Sequence, residues 1–303
     1  MTDINEYLTE EVVEDYADGL IPRREALRQL SLLGVGAASA VAMLAACSSG
    51  GSQASGAPAS TSAAATPSVT GKPAGPAPLE TQSITFAGPN GQLQGAWATA
   101  ASPRGSVLVI HENRGLTDHI RSVAGRLAAS GYPALAVDLL SEEGGTSTFS
   151  DSAQATAALN AAPPGRFVAD MRAGVSELLR RQPTLKPAVI GFCFGGGMVW
   201  SLLASGEPRL VAAAPFYGPL PDGADFSGSR AAVLAIYGAL DTRVDATRDA
   251  AEAAMKKAGL TYEVVTYPGA NHAFFNDTGA RYNPVAAAAA YRKLLDWFGT
   301  HLA

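Results

Sequence analysis

Gly191-Phe192-Cys193-Phe194-Gly195-Gly196 is the stretch that decides the fold class of this 303-residue chain. The apolar run Ala188–Gly191 leads into it, and small or apolar residues at helical spacing follow it. A strand that turns sharply into a helix needs glycines where its backbone crowds itself, and it presents the residue at the turn. The helix N-terminus favours negative charge on the sulfur of Cys193. The pattern predicts a nucleophilic cysteine; the alternative is a small buried cysteine in a glycine-rich contact.

Residues 80–303 alternate short apolar runs with longer helical segments, which predicts one α/β domain. We expect a mostly parallel sheet of about eight strands with helices on both faces. The candidate strands are Gln82–Phe86, Leu93–Ala98, Ser106–Ile110, Ala134–Val137, Ala188–Gly191, Val211–Phe216, Ala232–Tyr237 and Tyr262–Tyr267. The candidate helices are Asp118–Ser130, Phe167–Arg181, Phe194–Leu203, Thr247–Ala258 and Val285–His301. The small and polar residues 140–165 are either a mobile cover over the site or an irregular connection.

A cysteine nucleophile needs a base, and the chain has four histidines. His301 stands at the C-terminus, His119 falls in the first turn of a predicted surface helix, and His111 precedes the nucleophile. His272 remains, in a loop just after the last predicted strand, where catalytic residues of parallel sheets gather. The alternative for His272 is an ordinary surface-loop histidine.

The third member should orient the imidazole, and Asp241 follows the predicted strand Ala232–Tyr237 directly. The order Cys193, Asp241, His272 is typical of α/β-hydrolases. Three other aspartates lie in the same interval and could each be a turn residue, namely Asp222, Asp225 and Asp245. The position beyond a strand favours Asp241.

Together with the sequence His111-Glu112-Asn113-Arg114-Gly115 after an early strand, these motifs resemble the dienelactone hydrolase family (carboxymethylenebutenolidases). The resemblance covers nearly all of residues 80–303 and includes the Gly238–Asp241 turn and Gly269-Ala270-Asn271-His272-Ala273-Phe274. It implies an α/β-hydrolase fold. It also implies that Glu112 pairs with the resting thiol and helps to generate the thiolate; otherwise Glu112 is an exposed carboxylate near Arg114.

By the same resemblance, the backbone N–H groups of Phe194 and Asn113 would form the oxyanion hole. The family's type enzyme holds a substrate carboxylate with two arginines, one of them four residues beyond the catalytic histidine. Here that position is Asn276, and Arg281 and Arg166 are candidate substitutes. The resemblance thus implies a hydrolase of small esters or enol-lactones, with dienelactone as only one candidate substrate.

Other functions remain open at this stage. A redox or stress-related cysteine protein would leave Asp241 and His272 without a task, and a lipid-anchored binding module on an inactive hydrolase scaffold would show no turnover. We expect no metal, because no His, Cys and carboxylate residues have ligand spacing in the sequence, and no organic cofactor, because phosphate-loop and dinucleotide motifs are missing. The net charge of −5 and the lack of basic clusters argue against a nucleic-acid partner.

The N-terminal region is typical of an export signal, which we predict over residues 1–47. Arg23-Arg24 before an apolar stretch resembles a twin-arginine signal, which exports folded proteins. Leu44-Ala45-Ala46-Cys47 resembles a lipobox, so Cys47 would be the lipidated first residue of the mature chain. Residues 48–79 have the composition of a disordered tether. We therefore expect a monomer in the cell envelope, anchored to the membrane through Cys47.

Overall fold

Short runs of apolar and β-branched residues form the strands of one eight-stranded sheet, as predicted. The structure is a computed structural model that describes residues 4–48 and 71–303. Each strand begins and ends within two residues of its predicted bounds. The strands are β1 (Gln82–Gly88), β2 (Gly91–Ala98), β3 (Ser106–Ile110), β4 (Ala134–Asp138), β5 (Pro187–Phe192), β6 (Ala212–Phe216), β7 (Ala232–Gly238) and β8 (Tyr262–Tyr267).

Three helices of the described residues precede this sheet in the chain, and the others alternate with its strands or follow the last one. They are α1 (Ile4–Ala17), α2 (Arg23–Leu32), α3 (Ala37–Ser48), α4 (Asp118–Ala129), α5 (Ser152–Ala161), α6 (Pro164–Arg181), α7 (Phe194–Ala204), α8 (Thr242–Asp245), α9 (Arg248–Lys257) and α10 (Pro284–His301). All five helices predicted in residues 80–303 are present. The predicted α/β-hydrolase fold class is confirmed, whereas α5 and the very short α8 were not predicted.

The strand order β1-β2-β4-β3-β5-β6-β7-β8 sets where the site lies. Strands β1 and β2 form an antiparallel hairpin around Pro89-Asn90, and every pair from β4 to β8 is parallel. Strands β3, β4, β5, β6 and β7 are buried along their whole length, because helices cover both faces of the sheet. The carboxyl ends of parallel strands meet at one edge, so the residues after β3, β5, β7 and β8 converge there.

The segment after β4 is held in place by the carboxylate of Asp138. This carboxylate accepts hydrogen bonds from the backbone N–H of Leu140 at 3.0 Å and from the N–H and hydroxyl of Thr146 at 2.7 and 2.8 Å. Two short 3₁₀ turns follow, and then Asp151 caps α5 by accepting from the N–H of Gln154 at 3.0 Å. The alternative of an irregular connection is therefore wrong, because the polar residues form caps and turns that composition alone does not reveal, whereas the mobile cover stays a prediction.

The three N-terminal helices pack against one another, and α1 and α2 contact α5. Leu8, Leu30 and Leu44 are each fully buried, while Arg23 and Arg24 are exposed at the start of α2. Within residues 4–48 and 71–303, none of the helices combines the length and hydropathy that a bilayer span requires. The signal over residues 1–47 stays a prediction, and the side chain of Cys47 lies outside what the structure describes.

Most of the predicted tether also falls outside the described residues, but residues 71–79 lie along the domain surface. Arg126 donates to the carbonyl oxygen of Ala74 at 2.9 Å, and the hydroxyl of Tyr282 donates to that of Lys72 at 2.6 Å. The backbone N–H of Leu79 donates to the carbonyl oxygen of Gly125 at 3.1 Å. Backbone groups within residues 71–79 therefore already form hydrogen bonds to the domain, although this domain was predicted to begin at residue 80.

A buried carboxylate in α6 provides a test of the fold that does not involve the site. Neither oxygen of Asp170 has a hydrogen-bond partner among the described residues. Burial, together with repulsion from Glu142, raises the pKa of Asp170 to about 6. Because this pKa is higher in the folded state than in the unfolded state, stability is lost as the pH rises from about 4 through about 6.

We therefore expect Asp170→Asn to increase the free energy of unfolding by about 1 kcal/mol at pH 8 and by much less at pH 4.5. The amide keeps the shape of the side chain and removes the charge. Thermal or urea unfolding at the two pH values measures the difference. An equal effect at both pH values would show that the charge of Asp170 does not cost stability.

Candidate active site

Cys193 lies on a strained turn between β5 and α7. Its backbone angles are φ 56° and ψ −121°, a combination that residues other than glycine rarely adopt. Its N–H donates to the carbonyl oxygen of Phe216 at 3.1 Å, and its own carbonyl oxygen accepts from the N–H of Gly197 at 3.1 Å. These bonds fix the turn, which places Cys193 at the carboxyl edge of the sheet and at the N-terminus of a helix.

The glycines around Cys193 allow its turn to close. A Cβ atom on Gly191 would lie 2.2 Å from the carbonyl oxygen of Gly195, and one on Gly195 would lie 2.4 Å from that of His111. Both distances are shorter than any allowed contact, and both partners are backbone atoms that cannot rotate away. The crowding predicted from the sequence is therefore present.

We expect Gly195→Ala to destabilise the fold by about 3 kcal/mol or more, because the backbone of His111 must move to admit the methyl group. Chemical denaturation measures this loss. Gly299→Ala is a matched control on α10, since a Cβ at Gly299 meets no atom within 4 Å and a helical alanine is favoured. A Gly195→Ala protein as stable as wild type would mean that the turn is looser than described.

His272 and Asp241 form a buried pair beside Cys193. The Nδ1 atom of His272 lies 2.6 Å from Oδ2 of Asp241, and the other oxygen of Asp241 accepts from the N–H of Val244 at 3.1 Å, at the start of α8. A ring nitrogen of His272 and Sγ of Cys193 lie within 4.8 Å of each other. The structure therefore brings together the three residues that the sequence placed in the order nucleophile, orienting acid and base.

The local charges stabilise the imidazolium that forms at His272 once Cys193 has lost its proton. Burial alone would lower the pKa of His272, but Asp241 and Cys193 outweigh it and raise that pKa well above its usual value. Burial also acts on Asp241, yet attraction to His272 leaves the pKa of Asp241 below its usual value. For Cys193, burial and the neighbouring carboxylate of Glu11 raise the pKa, while His272 lowers it. The net effect is a pKa of Cys193 above that of an ordinary thiol.

Two residues of α1 enter this site, and the sequence did not predict either. The hydroxyl of Tyr7 lies 3.1 Å from Sγ of Cys193 and 3.4 Å from Nε2 of His272. The thiol of Cys193 donates towards both carboxylate oxygens of Glu11, at 3.3 and 3.5 Å. Both residues lie within residues 1–47, whose sequence is typical of an export signal rather than of a catalytic site. The spacing of Tyr7, Glu11 and Glu14, which places them on one helical face, was the available clue.

Glu112 lies in the same site, but its carboxylate hydrogen-bonds to residues other than Cys193. Its carboxylate accepts from the side-chain amide of Asn276 at 2.6 Å and from the hydroxyl of Tyr217 at 3.4 Å. Pairing of Glu112 with the resting thiol, which the family resemblance implied, is therefore not what this structure shows, because Glu11 takes that position. Glu112 is also buried, so it is not the exposed loop carboxylate that was the alternative.

A cavity of about 210 Å³ opens beside Cys193. Asn113, in the loop after β3, lines it, and Phe194 is the first residue of α7, so its N–H belongs to the helix turn that lacks intrahelical partners. These are the two positions proposed for the oxyanion hole. Arg114 and Arg281 also line the cavity.

The two candidate substrate-binding arginines differ in position. Arg281 faces the cavity but pairs with Asp15 at 2.7 Å and with Asp18 at 2.7 Å, both in the N-terminal segment. Arg166 is not among the residues that line the cavity, and it pairs with Glu143 and donates to the carbonyl oxygen of Leu139. The expectation that Arg166 binds substrate is therefore not supported, because its guanidinium is held by the segment after β4.

One group among the described residues could hold a metal ion. Glu11, Cys193 and His272 present an oxygen, a sulfur and a nitrogen within 4.8 Å of one another. This mixed donor set suits Zn²⁺. The same atoms already form hydrogen bonds to one another or to Tyr7, and the sequence did not indicate the group because Glu11 is distant in the chain.

Comparisons with known proteins show which family this chain resembles. The model of the dienelactone hydrolase family matches residues 93–302. A putative carboxymethylenebutenolidase of Methylorubrum extorquens is 31% identical over 220 residues, which cover 67% of this chain and 74% of that protein.

Solved structures show the same similarity. A putative dienelactone hydrolase from Klebsiella pneumoniae is 27% identical, with a TM-score of 0.64, over 73% of this chain and 98% of that chain. P91, a dienelactone hydrolase-like promiscuous phosphotriesterase from metagenomic libraries, is 25% identical, with a TM-score of 0.65, over 74% of this chain and 98% of that chain. The similarity extends over nearly the whole of each solved protein.

Proposed function

Since this chain belongs to the dienelactone hydrolase family, we propose that it hydrolyses small esters or lactones through Cys193, His272 and Asp241. The observation that carries the proposal is the arrangement at the end of β5. A cysteine on a strained turn lies beside a histidine whose far nitrogen is 2.6 Å from a buried aspartate. This is the geometry of a nucleophile, a base and an orienting acid.

The reaction proceeds in two halves. His272 takes the proton of the Cys193 thiol, and the sulfur attacks the carbonyl carbon, so that the carbonyl oxygen becomes an oxyanion. The N–H groups of Phe194 and Asn113 stabilise that oxyanion, and the leaving alkoxide then takes the proton from His272. Water, deprotonated by His272, attacks the thioester and releases the acid and the thiol. Asp241 holds the imidazole in the required tautomer and stabilises its positive charge throughout.

Esters and lactones fit this site better than amides. In the tetrahedral intermediate a thiolate leaves more readily than an amine, so attack on an amide reverses unless strong acid assistance is available. Arg281 is the candidate cation for a substrate carboxylate, because it lines the cavity and Asn276 is occupied by Glu112.

A panel of aryl esters, small esters and enol-lactones, offered to the full chain, tests the proposal. An aryl phosphotriester belongs in the panel because of the activity named for P91. We expect turnover of esters or lactones that depends on Cys193. Redox activity without hydrolysis would favour the stress-related alternative, and binding without turnover would favour an inactive scaffold.

We also propose that the protein is exported as a folded chain and anchored through a lipid on Cys47. The exposure of Arg23 and Arg24 at the start of α2 supports this, because an export receptor must reach them in the folded protein. Fractionation of cells that produce wild type or Cys47→Ser tests the anchor. Membrane association of wild type alone is expected, and equal partitioning of the two proteins argues against lipidation.

A further inference from the structure

Helix α1 covers the catalytic groups. The hydroxyl of Tyr7 lies within hydrogen-bond distance of both the Cys193 sulfur and the His272 nitrogen, and Glu11 accepts from the same thiol. With α1 in place, Cys193 is 1% exposed and His272 is fully buried. The cavity that remains, about 210 Å³, is smaller than the roughly 300–1,000 Å³ of ordinary ligand pockets.

Both contacts oppose the proposed chemistry. A substrate carbonyl must approach the Cys193 sulfur, and the sulfur must pass its proton to His272, yet the Tyr7 hydroxyl occupies the space next to both atoms. The carboxylate of Glu11 keeps the proton on the sulfur, since a second negative charge beside a thiolate is unfavourable. Helix α1 therefore both fills the site and stabilises its unreactive form.

The helix is held by complementary charge. Asp15 in the helix and Asp18 directly after it pair with Arg281, and Glu14 pairs with Arg243 at 3.3 Å. The Arg243 guanidinium also stacks over the ring of Tyr7, 4.5 Å from its centroid. The acidic helix α1 therefore lies against two arginines at the entrance to the site, and it places the ring of Tyr7 and the carboxylate of Glu11 next to Cys193.

We propose that residues 4–17 are an intramolecular inhibitor that occupies the active site of the precursor and leaves it when the N-terminal segment is removed or displaced. The proposal rests on the hydrolase function proposed above. It links two features of this chain, since the helix precedes the predicted lipidation site at Cys47 and an enzyme exported in its folded state would otherwise be active before export. Cutting the chain after α3 would lower the effective concentration of α1 at the site.

The first experiment weakens the helix without touching the catalytic groups. Asp15→Asn/Asp18→Asn removes two charges that pair with Arg281, and Glu6→Gln/Glu10→Gln is the matched control on the exposed face of the same helix. The rate of alkylation of Cys193 by iodoacetamide, followed by peptide mass spectrometry, and kcat/KM for an aryl ester are measured in the full chain. We expect both to rise by at least about tenfold in the first variant and to stay unchanged in the control.

The second experiment leaves every contact between α1 and the site as in wild type. It replaces part of residues 49–70 with the recognition site of a sequence-specific protease. Alkylation and hydrolysis are measured on one preparation before and after cutting, at nanomolar protein. We expect both rates to rise after the cut, because α1 then dissociates on dilution. Rates that stay the same or fall, in the cut protein and in the double variant alike, would overturn the inhibitor proposal. Alkylation that rises without any hydrolysis would support the inhibitor and contradict the hydrolase function.

Discussion

Cys193→Ala is expected to lower kcat/KM for ester hydrolysis by on the order of 10⁴-fold or more, because the nucleophile that forms the thioester is gone. Cys193 combines a strained turn with proximity to the His272–Asp241 pair. Steady-state kinetics in the wild-type background and in the Asp15→Asn/Asp18→Asn background measure the loss, so that closure by α1 does not mask it.

The fold should survive this substitution. Alanine has a Cβ like cysteine, so the strain of a positive φ at position 193 is unchanged, and only the sulfur is removed. Equal melting temperatures, within a few degrees, serve as the control. Substantial hydrolysis by a folded Cys193→Ala protein would show that the site on β5 and α7 does not perform the reaction.

Asp241→Asn is expected to lower kcat by on the order of 10³–10⁴-fold, the second largest effect. The carboxylate that accepts from Nδ1 of His272 at 2.6 Å would become an amide, which can donate to Nδ1 and favour the wrong tautomer. The loss of attraction would also reduce the pKa of His272, which Asp241 and Cys193 together raise. We therefore expect the pH profile of kcat to shift to lower pH, in addition to the fall in the maximum value of kcat.

Asp245→Asn is the matched control for Asp241→Asn. Both aspartates belong to the same short segment, but Asp245 is partly exposed and pairs with Arg248 at 3.4 Å, away from His272. The asparagine at position 241 can still accept from the N–H of Val244, so α8 keeps its cap. Equal losses of activity in the two variants would contradict an orienting role for Asp241.

The candidate site at the carboxyl edge of the sheet could be predicted because its turn depends on residues that are close together in the chain. The glycines around Cys193 encode a turn that no other residues tolerate, and each candidate partner follows directly after an apolar strand. Parallel strands then bring Asp241 and His272 together, so chain order was enough to identify neighbours in space.

The parts of the site that could not be predicted depend on contacts between distant segments. Tyr7 and Glu11 approach Cys193 only because α1 docks over the site; their spacing indicates a shared helical face but not which surface that face contacts. The partner of Glu112 likewise depends on which side chain the fold places beside it, and that side chain is Asn276. Arg166 carried the right charge, but the segment after β4 holds it with Glu143.

A covalent intermediate on Cys193 is the central claim, and mass spectrometry of the enzyme, quenched in acid shortly after mixing with an activated aryl ester, tests it most directly. We expect the acyl group on the peptide that contains Cys193, its disappearance as product forms, and its absence in Cys193→Ala. Turnover without acylation of Cys193, or with the acyl group on another residue, would show that Cys193 is not the nucleophile.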